Sequence, residues 1–490
     1  MPRVTAKIDD ISKRRTLKLH RVSTISTLFM TTLSGLMLAC GGGEPASGQP
    51  QTESPNPPSE VIGGCMGDCG PSTRDFFSNE QVADLKLTID DATLKSYGYE
   101  PGQWLDLLWD KWNNHCGPYD WVPVTMTYES PDGNGNTTLE KVAMRLRGTK
   151  SRGVNRLQGF KLDFTKSLPK DNNRRFAGLS RVNALSNEGD DSNMLQCMGY
   201  KLMRDFGLEA PLCNHLRVFI NGKLYGVMES VERAKDARFL KNHFETSNGF
   251  LYAASASCGY GDSLADLGYK GDTFDVPDYT KIYEVLRGTP QDAEVNLIPM
   301  LKCGDPAQTP DDEDFKTCIS EWIDVEQWLR EIAAESIMPS LEDFVGARRN
   351  YFLYFKPDAA APHGGRMLVW GWDYDTVLQR ATCYPQSCDP FTSVAGWFGP
   401  RGKRQPLLTR LTSVFKARYC ELLNEYLDEV YDPTKVDEMA SVIEGSMAED
   451  TVTEFSAWQS EVTRMREYMV KHAGDARLQI AKNCEMTASE

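Results

Sequence analysis

The sequence is short of several features that mark common classes of protein. It has no Cys-x-x-Cys pair and only six scattered histidines, so a structural zinc site is disfavoured. Basic residues are in the minority, with 54 Lys+Arg against 69 Asp+Glu and a net charge of −15, which argues against nucleic acid as a partner. What remains is a core-forming composition, 40% hydrophobic, in a chain of 490 residues without evident internal repeats.

The first 39 residues have the pattern of an export signal. A basic segment precedes an apolar run, Leu28 to Ala39, that is too short and too interrupted by Ser and Thr to span a membrane. Leu38-Ala39-Cys40, followed by three glycines, is similar to a bacterial lipobox, in which Cys40 carries the lipid. An ordinary secretory signal cleaved nearby is the alternative. We therefore predict a signal peptide over 1–39 and an exported protein of the cell envelope, anchored to the membrane through Cys40.

The residues that follow fit an exported protein. Residues 40–71 are rich in Gly, Pro, Ser and Gln, which is typical of a flexible linker. Of the 13 cysteines, those other than Cys40 are even in number, as expected for disulfides in an oxidising compartment. Three pairs that are close in sequence are candidates for disulfides: Cys65 with Cys69, Cys303 with Cys318, and Cys383 with Cys388.

Hydrophobic periodicity divides the rest of the chain into two parts. Alternating patterns predict strands near 82–90, 122–128, 141–147, 159–164, 215–220 and 224–230, with one helix near 191–206. Farther along, the patterns predict helices near 234–243, 324–338, 406–428, 435–447 and 454–480, strands near 249–253, 350–356 and 366–372, and loop over most of 255–320. The order predicts an α+β protein with a β-rich lobe over 72–232 and a mostly helical lobe over 233–490.

The most specific chemical signal is Trp372-Asp373-Tyr374-Asp375, directly after an apolar run. Two carboxylates at the end of a buried strand are unfavourable unless a cation or hydrogen bonds compensate them. Carboxylate oxygens of this kind suit Mg²⁺ or Mn²⁺. The structural alternative is a pair of acids that caps a turn or forms ion pairs with nearby arginines.

Further polar residues fall in the order that kinase-type phosphoryl transfer requires. This chemistry uses an Asp near the acceptor hydroxyl, an Asn and a second Asp on the metal, and a Lys on the phosphates. Asp343, Asn350 and Asp373 occur in this order, and Lys161 lies on an early predicted strand. A solvated strand residue is the alternative for Lys161.

Several separate segments together resemble the CotH kinase family, named for a spore-coat protein H. The resemblance covers roughly 80–380 and several motifs in order. The matching segments are Arg145-Leu146-Arg147-Gly148, Gly159-Phe160-Lys161-Leu162, Asn183-Ala184-Leu185, Phe219 to Glu232 around Asn221-Gly222, Asp343, Asn350-Tyr351 with Leu353-Tyr354, and Trp372-Asp373-Tyr374-Asp375.

The resemblance implies an atypical, two-lobed, protein-kinase-like fold. It implies a transferase that uses ATP and Mg²⁺ or Mn²⁺ to phosphorylate Ser or Thr of extracytoplasmic proteins. For the nucleotide, it implies that Lys161 and Arg147 contact phosphates and that Glu229 lies at the hinge beside adenine. Arg145 and Arg147 could equally be solvated strand charges.

The resemblance also implies the roles of the acidic residues. Asp343 would orient the acceptor hydroxyl, and Asn350 and Asp373 would hold the metal. Asp375 would be either a second metal ligand or the partner that fixes the loop. Ser340-Leu341-Glu342-Asp343 departs from the family pattern and leaves Glu342 as a competing assignment for Asp343.

A second departure is that no Gly-x-Gly-x-x-Gly loop precedes Lys161. The alternative function is a non-catalytic surface adhesin or coat-assembly protein that retains the kinase-like fold. A polysaccharide-degrading enzyme that uses Asp373 and Asp375 as acid and base is disfavoured, because carboxylates two residues apart are hard to place about 5 Å or more apart across a sugar.

Overall fold

The computed structural model describes residues 65–484 except for 66, 79, 105–106, 108–120, 148–156, 170–171, 186–188, 255–264, 339, 341, 379–389 and 392–404. The predicted signal peptide, Cys40 and most of the predicted linker lie outside the described residues. The chain divides into two units, Met1–Ser59 and Glu60–Glu490, and the second contains every described residue. Among the described helices, none combines the length and the hydropathy of a bilayer-spanning segment.

The protein is built from both helices and sheets. The strands are β1 (Asp68–Cys69), β2 (Ala83–Thr88), β3 (Val122–Glu129), β4 (Thr137–Leu146), β5 (Phe160–Asp163), β6 (Arg175–Phe176), β7 (Arg181–Ala184), β8 (Cys213–Ile220), β9 (Lys223–Val231), β10 (Phe250–Ala254), β11 (Tyr283–Arg287), β12 (Tyr351–Pro357) and β13 (Gly365–Gly371). The helices are α1 (Thr73–Phe76), α2 (Asp91–Ser96), α3 (Leu195–Asp205), α4 (Ala237–Phe244), α5 (Pro277–Thr280), α6 (Pro290–Gly304), α7 (Asp312–Trp322), α8 (Val325–Ile337), α9 (Pro406–Val414), α10 (Lys416–Glu425), α11 (Thr434–Ala448) and α12 (Phe455–Cys484).

The first large sheet has seven strands in the order β7-β5-β4-β3-β2-β8-β9. All neighbours are antiparallel except β2 and β8. Residues of β3 alternate strictly between buried and half-buried, as the sequence pattern predicts for a strand with one face in a core. Asn221 and Gly222, with φ of 49° and 77°, form the tight turn between β8 and β9, which favours residues that tolerate positive φ.

The second large sheet has four antiparallel strands in the order β11-β10-β12-β13. Helix α8 packs against its last strand, where the buried indole N–H of Trp328 donates to the carbonyl of Met367 at 2.9 Å. This sheet delivers Asn350, just before β12, and Asp373, just after β13, to the same end of a strand pair. The strand and helix predictions for 350–356, 366–372 and 324–338 are therefore confirmed to within about a residue.

The predicted loop over 255–320 is wrong for much of its length. Strand β11 and helices α6 and α7 lie in this stretch. Helix α6 begins with a capping box, in which Thr289 and Asp292 each accept a hydrogen bond from the other's backbone N–H. Pro290 at its first position is compatible with a helix, because the first turn needs no N–H donor there.

The predicted helix over 406–428 is also corrected. It is divided at Phe415 into α9 and α10, and a π-helix over Tyr426–Val430 follows α10.

Two of the three predicted disulfides are present: Cys65–Cys69 and Cys303–Cys318. Cys383 and Cys388 lie outside the described residues. The structure adds Cys197–Cys213 and Cys420–Cys484, whose partners are 16 and 64 residues apart. The first of these joins α3 to β8, and the second joins α10 to the end of α12.

Helix α3 belongs to the same hydrophobic cluster as the helices that follow residue 233. Its buried residues Met198 and Leu202 share that cluster with Leu301 of α6 and Leu422 of α10. A second cluster fills one face of the seven-stranded sheet and includes Leu162 of β5. The division into two lobes at residue 232 stays a prediction.

Candidate functional site

A row of polar side chains crosses three strands on the face of the seven-stranded sheet that lies opposite its hydrophobic cluster. Arg145 on β4 is the register partner of Lys161 on β5, and Lys161 is the register partner of Asn183 on β7. Phe160 and Leu162, on either side of Lys161, point into the hydrophobic cluster. Oδ1 of Asn183 is buried and has no hydrogen-bond partner among the described residues.

Lys161 lies among positive charges. Burial, followed by the charges of Arg233, Arg147, Arg145 and Lys235, lowers the pKa of Lys161 to about 6. Within the described part of the chain, Lys161 forms no ion pair with a carboxylate. A half-buried lysine with four cationic side chains near it is unfavourable in its charged form and is suited to an anionic ligand.

Arg233 and Arg147 are two of the positive charges near Lys161, and the three side chains form what we call the cationic cluster. Arg233 lies two residues after the end of β9, its side chain is 8% exposed, and its Nη1 lies 3.2 Å from Oδ2 of Asp236. Arg147 directly follows β4, where its N–H donates to the carbonyl of Gly159 at 2.9 Å. The sequence predicted a role for Arg147 but not for Arg233.

Asp373 begins the acidic side of the site. It lies in the turn after β13 with a left-handed φ of 66°. Its Oδ1 accepts a hydrogen bond from Nε2 of Gln196 at 3.0 Å, and its N–H donates to the hydroxyl of Tyr200 at 3.0 Å. Burial raises the pKa of Asp373, and the opposing effects come from Arg147 and Gln196. Arg147 therefore acts electrostatically on both Lys161 and Asp373.

Asp375 is crowded by other carboxylates. Burial, followed by the negative charges of Asp373, Glu342 and Asp190, raises the pKa of Asp375 to about 8, and Arg147 opposes the shift. A divalent cation would remove this repulsion. Asp375 is therefore placed where either of its two predicted roles is possible.

Asn350 lies beside the turn after β13 that carries Asp373 and Asp375, which we call the acidic turn. Its carbonyl accepts a hydrogen bond from the N–H of Trp372 at 2.8 Å, which extends the pairing of β12 with β13 by one residue. It has a left-handed φ of 49°, and its Nδ2 is buried without a hydrogen-bond partner among the described residues. The structure thus brings together Asn350, Asp373 and Asp375, the three residues that the sequence predicted as metal ligands.

Asp343 is held by hydrogen bonds from its own loop. Its Oδ1 accepts hydrogen bonds from the N–H groups of Gly346 and Ala347 at 2.7 and 2.9 Å, and its Oδ2 accepts one from Ser340 at 2.9 Å. Burial raises its pKa to about 6 against these hydrogen bonds. The carboxylate is therefore engaged by its own loop.

Glu342, the other candidate for the role predicted for Asp343, lies near Asp373 and Asp375. Its negative charge raises the pKa of both Asp373 and Asp375. Its Oε1 lies 3.2 Å from Nη1 of Arg349, and its side chain is 41% exposed. Of the two neighbouring acids, Glu342 is the one that combines exposure with proximity to the predicted metal ligands.

Glu229 is buried beside the start of helix α3. It is 1% exposed, and its Oε1 accepts a hydrogen bond from the N–H of Cys197 in the first turn of α3 at 2.8 Å. Burial, followed by the charges of Asp190 and Asp375, raises its pKa well above the usual value. The predicted place of Glu229 at a hinge beside adenine stays a prediction.

Taken together, a cationic cluster around Lys161 adjoins a cluster of carboxylates around Asp373, and Arg147 acts on both. Such an arrangement fits an anion that carries a divalent cation, because the anion supplies the counter-charge that Lys161 lacks and the cation relieves the repulsion at Asp375. Oδ1 of Asn183 and Nδ2 of Asn350, which are buried without a hydrogen-bond partner in the described part of the chain, lie beside these two clusters. A phosphate chain with a bound metal ion has both charges.

Comparison with known proteins agrees with this chemistry. Residues 144–474, more than half of the chain, match the family model described as CotH kinase protein, and the chain belongs to this family. Membership of a kinase family implies the use of ATP and a divalent cation in general. No curated protein matches the chain.

Among solved structures, the chain is similar to a chain of the Shewanella oneidensis MR-1 toxin–antitoxin system HipA, HipB in complex with its operator DNA. The identity is 13% and the TM-score is 0.28, over 62% of this chain and 61% of that one. The chain therefore spans about three fifths of the structure that it matches. This likeness is too distant to support an argument.

Proposed function

We propose that the protein is an exported atypical kinase that transfers a phosphoryl group from ATP to Ser or Thr of extracytoplasmic or surface proteins, with Mg²⁺ or Mn²⁺. The observation that carries the proposal is the cationic cluster around Lys161 beside the carboxylates around Asp373. Membership of the CotH kinase family supports it.

The cationic cluster would bind the phosphates. Lys161, Arg147 and Arg233 contribute positive charges from β5 and from the residues after β4 and β9. Contact with phosphate would raise the pKa of Lys161 from about 6, so that the ammonium group is charged when the nucleotide is bound. Arg147, which acts on both clusters, would align the phosphates with the acidic turn.

The acidic turn would bind the metal. Asp373 and Asp375 offer carboxylate oxygens and Asn350 an amide oxygen, the ligand types that Mg²⁺ and Mn²⁺ prefer. The metal, when bound, supplies positive charge that neutralises the phosphates during transfer. Both carboxyl groups must lose their protons to bind it, and the raised pKa of Asp375, about 8, makes metal binding stronger at higher pH near neutrality.

Glu342 is the better candidate for the group that accepts the proton of the substrate hydroxyl. It is half exposed and close to the acidic pair, whereas the three backbone hydrogen bonds of Asp343 occupy its carboxylate. In this assignment Asp343 fixes the loop that carries Glu342, and Arg349 orients Glu342 through their ion pair.

The location of the protein is part of the proposal. The export signal over 1–39 and a lipid on Cys40 would anchor the chain to the membrane of the cell envelope. The four disulfides within the described residues support an oxidising compartment. Cys40→Ser should release the protein from membranes, and an unchanged distribution between membrane and soluble fractions would remove the lipid anchor.

The proposed activity is tested with purified full-length protein, γ-labelled ATP and Mn²⁺ or Mg²⁺. We expect label on the protein itself or on an added acidic protein, and loss of label with EDTA. Asp373→Asn is the inactive control. Absence of transfer under every metal and nucleotide tried, together with retained adhesion to a surface partner, would favour the non-catalytic adhesin or coat-assembly protein.

A further inference from the structure

Helix α3 holds the acidic turn through one buried glutamine. Gln196 is 4% exposed, and its Nε2 donates to Oδ1 of Asp373 at 3.0 Å. Its Oε1 accepts a hydrogen bond from the N–H of Tyr374 at 3.1 Å. The side-chain amide thus binds the carboxylate and the backbone of adjacent residues at the same time, which fixes the direction of the Asp373 side chain relative to its own backbone.

The next turn of the same helix face adds two contacts. The hydroxyl of Tyr200, four residues after Gln196, accepts the N–H of Asp373 at 3.0 Å. Gly199 allows the close approach, because a Cβ atom there would lie 2.8 Å from Cβ of Tyr374. Asp373 has a left-handed φ of 66°, which is unfavourable for a residue other than glycine. These contacts hold it in that conformation.

Contacts of the residues next to Gln196 fix the backbone from which it extends. The neighbouring Cys197 is bonded to Cys213 of β8 in a buried disulfide. The first turn of α3 donates backbone N–H groups to two buried carboxylates, from Cys197 to Glu229 at 2.8 Å and from Leu195 to Asp190 at 3.0 Å. Gln196 therefore extends from a backbone that is anchored to the seven-stranded sheet and reaches the turn after the four-stranded sheet.

We propose that Gln196 is a positioning residue for the metal: it binds one carboxylate oxygen of Asp373 and leaves the other, Oδ2, directed to the cation. Oδ2 forms no hydrogen bond within the described residues. A neutral amide suits this task, since it donates to Asp373 without adding charge beside Asp375 and Glu342. The inference rests on the proposed metal site, but it concerns metal binding and does not require phosphoryl transfer.

The test measures Mn²⁺ affinity by electron paramagnetic resonance of the free ion, without nucleotide. Gln196→Met removes both hydrogen bonds and keeps the length of the side chain. We expect its dissociation constant for Mn²⁺ to rise about 10-fold to 100-fold, the usual effect of losing a group that orients a metal ligand. Tyr200→Phe, which removes one oxygen atom and retains the packing, should give a smaller rise of the same sign.

Two matched controls separate positioning from a loss of stability. Gln327→Met removes another glutamine that binds both backbone groups of one residue, Val369 of β13. Tyr252→Phe removes a buried hydroxyl that donates to Asn296 at 2.7 Å. We expect each control to lower the Tm of the metal-free protein about as much as its partner variant does, without weakening Mn²⁺ binding.

The outcomes distinguish this inference from the proposed kinase activity. Mn²⁺ affinities of Gln196→Met and Tyr200→Phe equal to that of the parent would overturn the positioning role, as would a parent that binds no Mn²⁺. A parent that binds Mn²⁺ in a Gln196-dependent way and transfers no label would confirm the positioning role and contradict the kinase proposal.

Discussion

The cationic cluster and the acidic turn carry opposite charges, and the surrounding protein treats them differently. Lys161 has no carboxylate partner among the described residues, and its pKa falls to about 6. Asp373 is held by neutral groups, the amide of Gln196 and the hydroxyl of Tyr200, in a defined conformation. The acidic turn is thus shaped in advance by helix α3, whereas in the cationic cluster Arg233 pairs with Asp236 but Lys161 pairs with no carboxylate among the described residues.

This difference has an energetic consequence for the protein without ligands. Each cluster crowds like charges in a partly buried place, which favours the neutral forms and destabilises the fold when the groups are charged. Removing a charge from either cluster should therefore weaken ligand binding and leave the fold as stable as before or more stable. Residues that only support the fold should behave in the opposite way.

The largest effect is expected for Asp373→Asn. The amide keeps an oxygen for Gln196 but offers no negative charge to the metal, so phosphoryl transfer should fall by at least about 10³-fold. The Tm without metal should stay the same or rise, because the repulsion with Asp375 is removed. Label-transfer rates and thermal unfolding check both parts. Asp205→Asn, which breaks ion pairs with Lys201 and Lys435, is the control and should retain full activity.

The next largest effect is expected for the residue that accepts the proton of the substrate hydroxyl. Glu342→Gln should lower the transfer rate by about 10²-fold and leave the Tm unchanged. Asp343→Asn should instead destabilise the fold by roughly 1–3 kcal/mol. The substitution replaces one carboxylate oxygen with an NH₂ group, so that at least one backbone N–H of the loop loses its acceptor. Single-turnover kinetics and denaturant unfolding distinguish the two. The reverse pattern, with Asp343→Asn inactive but stable, would return the base to Asp343.

Lys161→Met tests the cationic cluster. Loss of a charged contact should weaken ATP binding by about 10-fold to 100-fold in calorimetry. The variant should nevertheless be more stable near neutral pH by about 1 kcal/mol or more. The pKa of Lys161 in the folded protein, about 6, lies below its usual value of 10.5, so the unfolded parent binds more protons between these values.

The stability of the parent should therefore rise with pH over that window, and Lys161→Met should lack this contribution. Lys86→Met is the matched control, since Lys86 lies on β2 with its Nζ 2.5 Å from Glu129. It should leave ATP affinity unchanged. A destabilised Lys161→Met would show that the lysine is a structural strand residue.

A matched pair of disulfides gives the smallest effect on binding. The double variants Cys197→Ala/Cys213→Ala and Cys303→Ala/Cys318→Ala remove bonds between residues 16 and 15 apart. Each should cost about 3 kcal/mol of stability because the loops have similar length. Only the first, which frees the start of α3, should weaken Mn²⁺ binding, by about 10-fold. Equal Mn²⁺ affinities of the two variants would separate the acidic turn from the anchoring of α3.

Local patterns in the sequence predicted much of the fold. Strands such as β3 alternate clearly between apolar and polar residues, and α8 has a clear apolar face. Helices α6 and α7 were missed because Pro, Asp and Gly around them indicate loop. The signals that would have found them are caps: the box formed by Thr289 and Asp292, and Asp311 before α7.

The site was only partly predictable, for a different reason. Asp373, Asn350 and Lys161 each lie in a short sequence motif that indicates their chemistry. In the fold, Asn350 lies beside the turn that carries Asp373, and Arg147 acts electrostatically on both Asp373 and Lys161. Gln196 and Arg233 lie in no such motif, because what distinguishes them is contact with residues far away in sequence, as between Gln196 and Asp373. The distinction between Asp343 and Glu342 depends on which carboxylate the loop's own N–H groups bind, and this requires the folded backbone.

The most direct test of one shared site is a crystal structure with Mn²⁺ and a non-hydrolysable ATP analogue, with the metal located by its anomalous scattering. We expect Mn²⁺ bound to Asp373 and the phosphates in contact with both the metal and Lys161. A metal away from the turn after β13, or phosphates that do not contact Lys161, would contradict one shared site.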